Sequence, residues 1–127
     1  MVLGLLADST RQLLNRAMDA LASRNDVIAN NIANADTPGF KRSQVKFEDS
    51  LRQILVDGGK PDANTLSRLK IETEVDNTPS TRLDGNNVNI DLEMSDLAKN
   101  SIMYNAVIEL YRLKGQIMRS VVSGGNK

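Results

Sequence analysis

Two long runs of the chain repeat apolar residues at helical spacing, and a stretch between them does not. In residues 8–35, Leu14, Met18, Leu21, Asn25, Ile28 and Ile32 follow at steps of four and three, a heptad seam with one polar break at Asn25. Ala17, Ala20 and Ala35 flank the seam and leave room for close helix approach, while Gln12, Arg16, Asp19, Ser23, Asp26 and Asn30 form the polar face. The pattern predicts an amphipathic helix of about 26 residues, roughly 40 Å long, with Asp8 or Ser9 as its N-cap. From Asp91 the period returns: Met94, Leu97, Ser101, Tyr104, Ile108, Tyr111, Gly115, Met118 and Val122 form one stripe. Met103, Val107, Leu110, Ile117 and Val121 form a second stripe beside it. Together they cover an arc of roughly 200°. Asp91 or Ser95 is the expected cap, and "SGGNK" reads as a stop.

The intervening residues 43–90 predict an irregular insert. "VKFEDSLRQIL" suits a short helix, and "DGGKPDANT" is a turn-rich break. "LKIETEV" and "VNIDL" each alternate apolar with polar residues, so two short strands are expected, pairing as a hairpin. Such an isolated pair is marginal in water and needs support. The fold class predicted is mainly α: terminal segments 1–42 and 91–127 paired as an antiparallel coiled-coil hairpin, with 43–90 inserted at the far end. One partner helix cannot cover an arc of 200°. A strip of apolar surface is left over, and a patch of that size marks a protein contact.

The first helix ends unusually. "IANNIANADTPGF" crowds Asn30, Asn31 and Asn34 into its last turns, although asparagine competes for its own backbone and is a mediocre helix former. Thr37 precedes a proline and is biased out of the helical region. Pro38 and Gly39 fit the central positions of a type II turn, with Phe40 following as an apolar anchor. The amides either cap their own helix or, with two donors and an acceptor each, bond to neighbouring subunits. The second reading is favoured in an assembly.

Composition narrows the function classes. Lys plus Arg and Asp plus Glu both number 16, so the net charge is zero, which argues against nucleic acid as a partner. The chain has no Cys and no His, which removes disulfides and the usual zinc ligands. No cofactor and no small-molecule substrate is implied. Glu48 with Asp49, or Asp91 with Glu93, are candidates for paired catalytic carboxylates. Without a His, a Cys or a nucleophile elbow they read as solvated or helix-start charges, and the chain as no enzyme. "DGGKPD" and "DGNN" lack the acidic spacing of a calcium loop. Lys41 and Arg42, like Arg112, Lys114 and Arg119, read as solvated charges. The start "MVLGLLADSTRQLL" has neither the basic region nor the apolar length of a cleaved signal peptide, and no stretch reads as a membrane span.

"ANNIANADTPGFKR" resembles the N-terminal signature of bacterial flagellar axial proteins, the rod and hook group. "LDGNNVNIDLEMSDLAKNSIMYNAVIEL", residues 83–110, resembles the C-terminal half of one kind of proximal rod protein. The resemblance implies export without a cleaved signal by the flagellar type III export apparatus. It further implies assembly into a helical tube across the periplasm, near the base of the flagellum. The implied partners are copies of the chain itself, other proximal and distal rod proteins, the rod-to-membrane-ring adaptor and the MS ring. The implied interface is the two seams with the helix end: Leu14, Met18, Leu21, Ile28, Asn30, Asn31, Ile32, Asn34, Pro38, Gly39 and Phe40 in the first half. In the second half it comprises Met94, Leu97, Tyr104, Ile108, Tyr111 and Met118. The alternative is a soluble coiled-coil adaptor or chaperone of a flagellar or type III secretion system.

Overall fold

The structure is a computed structural model describing residues 2–57 and 63–124, with side chains described for 9–56 and 64–124. Its elements are α1 (Val2–Ala33), β1 (Ser43–Lys46), α2 (Glu48–Asp57), α3 (Ala63–Ser67), β2 (Glu72–Val75) and α4 (Ile90–Gly124). The helical runs read from the sequence are α1 and α4, which pack antiparallel. Arg11 Nη2 donates to Tyr111 Oη at 2.9 Å, Asn100 Nδ2 to the Leu21 carbonyl at 2.8 Å, and Asn31 Nδ2 to Glu93 Oε2 at 3.1 Å. As one number rises along the pair, the other falls.

Helix α1 begins upstream of the expected cap at Asp8 or Ser9, because Leu3, Leu5, Leu6 and Ala7 are good helix formers that carry it back to Val2. Helix α4 is capped by neither Asp91 nor Ser95. The side chain of Asn89 accepts from the N–H of Asp91 at 3.1 Å and of Leu92 at 3.3 Å, so the helix starts at Ile90. "VNIDL" is therefore not a strand. The two-stranded sheet forms instead between β2 and β1, antiparallel, with Val45 opposite Thr73 and Lys46 opposite Glu72. Residues 43–46, expected to lead into a helix, are extended, and α2 starts only at Glu48. Most of the expected turn "DGGKPD" lies outside the described residues.

The insert does not sit at the far end of the hairpin. It doubles back along α1. One core joins Ala20 and Leu21 of α1 to Val45 and Phe47, with Val27, Leu51, Ile71, Tyr104 and Val107 packed around them. A second joins Ile54, Leu66 and Leu69, with Leu13 and Leu51 against them. Arg16 Nη2 ties the second core to α1 through the Leu69 carbonyl at 2.9 Å. Phe47, Ile54, Leu66 and Leu69 are apolar and need cover, and α1 supplies it through Ala20, Leu21 and Leu13. Burying a side chain such as Leu21 or Phe47 contributes about 1.5–3 kcal/mol. The placement also supports the two-stranded sheet, which would be marginal alone. Helix α1 thus packs against both α4 and the insert, whereas α4 packs mainly on α1 and meets the insert at Glu93, Tyr104 and Val107.

Candidate assembly face and its polar junction

The closed end of the hairpin is held by polar side chains rather than by a seam. Helix α1 stops at Ala33, and Pro38-Gly39 makes the expected turn: Gly39 has φ +73°, and the Phe40 N–H donates to the Thr37 carbonyl at 3.2 Å. The chain returns to this turn at Gly85, also at positive φ, where the Gly39 N–H donates to the Asp84 carbonyl at 2.8 Å. Asn86 is fully buried beside it. Its Nδ2 donates to the carbonyls of Asn34, Ala35 and Thr37 at 2.9–3.0 Å, and its Oδ1 accepts from the Val88 N–H at 2.7 Å. A residue from the other end of the insert therefore satisfies the carbonyls left over where α1 ends. Arg82 Nη1 adds a bond to Ala35 at 2.9 Å.

Asn31, with no exposed surface, acts as a substitute strand. Its Oδ1 accepts from the Ser43 N–H at 2.9 Å, and its Nδ2 donates to the Ser43 carbonyl at 2.8 Å and to Glu93. Glu93, 1% exposed, receives Arg42 Nε at 2.5 Å, and Arg42 Nη1 reaches Asp76 at 3.1 Å. Asn87 Oδ1 accepts from the Arg42 N–H at 2.7 Å, and its Nδ2 donates to the Asp76 carbonyl at 2.7 Å. Glu93 is thus a buried carboxylate bonded on both oxygens. Burial opposes the charge on Arg42, but its bonds to Glu93 and then Asp76 outweigh it and raise its pKa. The Thr78 hydroxyl and N–H, followed by Arg42, hold the Asp76 carboxyl down at about 2.

Several sequence expectations change here. Asn31 is spent inside the chain and offers nothing to a neighbour. Asn34 caps locally, donating to the Asn30 carbonyl at 2.9 Å and accepting from Thr37 Oγ1 at 3.2 Å, and Asn30 is exposed. Arg42 is not a solvated charge, and Lys41 Nζ is bonded to the Gly85 carbonyl at 2.5 Å. Phe40 is only half-buried, and the buried aromatic is Phe47. Glu48 is paired with Arg24 at 2.6 Å, and Arg24 also lies over the Phe47 ring. Asn25, Met94 and Ser101, placed in the seams by spacing, are exposed, and Glu93 and Asn100 point inward instead. The exchange is local: Leu97, Tyr104, Ile108, Tyr111 and Met118 of the expected seam stay half-buried. The residues that sequence reasoning missed are Asn86, Asn87, Asn89, Arg42 and Glu93. The dense run Asn86-Asn87-Val88-Asn89 after a glycine was the signal that could have found them.

Of the remaining seam residues, Leu21 and Ile28 are buried, whereas Leu14, Met18, Ile32, Leu97, Tyr104, Ile108, Tyr111 and Met118 are half-buried between the helices. Beyond Asn100 no described residue of α4 is buried. Ile102, Met103, Leu110, Leu113, Ile117 and Val121 are exposed, from 46% to 70%, along its outer side, and Val122, expected in the seam, is exposed as well. This is the apolar strip that one partner helix leaves uncovered. Among the described residues, no group of acidic side chains is arranged to hold a metal. No described helix is long and apolar enough to cross a membrane.

A hairpin of terminal helices with a bare apolar face defines a class of assembling subunits. Residues 13–41, the end of α1 and its turn, match the family described as flagella basal body rod protein. The chain is 36% identical to the flagellar basal body rod protein FlgB of Bacillus subtilis, over 94% of this chain and 98% of that one. It is 35% identical to FlgB of Borreliella burgdorferi (72% and 78% covered) and 30% identical to FlgB of Salmonella typhimurium (94% and 96%). The chain belongs to the FlgB family of flagellar basal body rod proteins, a structural family of the motility apparatus.

Proposed function

We propose that the chain is a structural subunit of the proximal rod. It assembles with copies of itself and with FlgC-like and distal rod proteins into the helical shaft that transmits motor torque. Its further partners are the rod-to-membrane-ring adaptor and the MS ring, and it reaches the periplasm through the flagellar type III export apparatus without a cleaved signal. The observation that carries this reading is the bare apolar side of α4, running from Ile102 to Val121. A coiled-coil adaptor or chaperone would share the helices, but the similarity to FlgB over nearly the whole chain supports the rod. Residues 1–42 and 91–127 are the rod-forming part, and residues 43–90 brace it. The test is a density map of basal bodies purified from cells expressing this chain. Density for the α1–α4 hairpin in the wall of the proximal rod is expected. Recovery of the chain in the cytoplasm alone, with rods built without it, overturns the assignment.

A further inference from the structure

The sheet has two edges, and they are treated differently. In the β1–β2 register, the Asp76 N–H donates to the Arg42 carbonyl, so the residues that bond across the sheet are Gln44 and Lys46 with Glu74 and Glu72. Ser43 and Val45 therefore turn their backbone groups to the outer edge of β1, and Thr73 and Val75 turn theirs to the outer edge of β2. The β1 edge is sealed: Asn31 takes both the N–H and the C=O of Ser43, and Arg24 Nη2 takes the Val45 carbonyl at 2.9 Å. The β2 edge is open. Every residue of β2 is exposed, and no hydrogen bond of the described residues reaches the N–H or C=O of Thr73 or Val75.

The charges on β2 indicate what would fit. Glu72 and Glu74 share one face with Lys46, whose Nζ lies 2.5 Å from Glu74. Glu72, directly opposite Lys46, makes no ion pair among the described residues. Two carboxylates meet one ammonium, and both lie on the strand that carries the open edge. Acidic residues on a free edge reject another acidic strand, including a second copy of β2, and favour a cationic one. Val75, half-exposed on the other face, offers an apolar contact to the same strand.

We propose that β2 is a docking edge for an extended basic segment of a partner protein. The segment adds as a third strand through the backbone of Thr73 and Val75, placing Lys or Arg beside Glu72 and Glu74. This goes beyond the rod reading and stands or falls separately from it.

The test uses the full chain and the probe peptide acetyl-Val-Lys-Val-Lys-Val-amide at millimolar concentration, with amide exchange read by NMR. Exchange at Thr73 and Val75 is expected to slow about tenfold with the lysine peptide and to be unchanged with its glutamate counterpart. The double variant Glu72→Lys with Glu74→Lys should reverse that preference. Thr73→Pro removes an N–H that β1 does not use, so the β1–β2 pairing should survive while peptide protection at Val75 is lost. The proposal is overturned if neither amide is protected, if the two peptides act alike, or if the charge reversal leaves the preference unchanged. Should Thr73→Pro unfold the sheet, the charge-reversed variant decides alone.

Discussion

Asn31 of α1 and Glu93 of α4 meet at 3.1 Å with 0% and 1% of their surfaces exposed, so the hairpin's closed end is pinned by an amide and a carboxylate. Removing either leaves polar atoms stranded. Glu93→Ala takes the partner from Arg42 and Asn31 and is expected to cost about 3 kcal/mol, moderated because Arg42 keeps Asp76. Asn31→Ala orphans the Ser43 backbone and should cost about 2 kcal/mol. Glu109→Ala, on the exposed side of α4, should change stability by less than about 0.5 kcal/mol. Urea unfolding of the three variants checks the order. Equal stability of Glu93→Ala and Glu109→Ala would show that the clasp contributes nothing.

The two ends of the hairpin should also differ in local stability. Among the described residues, burial in α1 begins at Ala20 and in α4 ends at Asn100. Amides of residues 22–33, 43–47 and 92–100 are expected to exchange slowly in the isolated chain, and those of 9–16 and 104–122 rapidly, because few apolar contacts oppose their opening. Exchange followed by NMR reads this residue by residue. Uniform protection from residue 9 to residue 122 contradicts it.

Ile28 and Ile117 separate folding from assembly. Ile28 is 5% exposed and Ile117 is 51% exposed. A carboxylate at Ile28 is stranded in the seam, so Ile28→Glu should unfold the chain, at a cost of several kcal/mol. Ile117→Glu and Leu113→Glu should melt like the parent but leave cells without rods or motility. Ile108, half-buried between the helices, should lose in both respects when replaced by Glu. Thermal melts by circular dichroism together with swimming assays test the separation. Normal swimming with both outer-face variants would remove the face from the assembly.

Asp76 gives stability a defined acid limb. Its pKa is lowered from 3.8 to about 2 in the folded chain by Thr78 and Arg42. The unfolded chain therefore binds the proton first as pH falls. The contribution is fully present above about pH 5, shrinks below the unfolded value and is gone below about pH 2. The stability gap between the parent and Asp76→Asn should be constant at neutral pH and close between pH 4 and 2. Denaturant titrations across that range measure it. A gap that widens on acidification would mean that Arg42 does not rely on this carboxylate.

The sequence by itself determined the two helices, their amphipathic faces and the turn at Pro38-Gly39. Each of these rests on short-range periodicity or on one residue's backbone preference, and both are written locally. It also determined that α4 carries more apolar surface than one helix covers, since an arc width depends only on spacing. What tertiary structure decided was which atoms meet. "VNIDL" alternates like a strand, yet Asn89 captures the N–H groups of Asp91 and Leu92 and starts a helix there. Glu93 and Asn100 look like surface residues, yet contacts from Asn31, Arg42 and Leu21 turn them inward and move Met94 and Ser101 out. The asparagines at the end of α1 have the same side chain and different fates, because only Asn31 faces Ser43 once β1 folds back along the helix. Hydrogen bonds between residues far apart in the chain have no period, so no local pattern announces them.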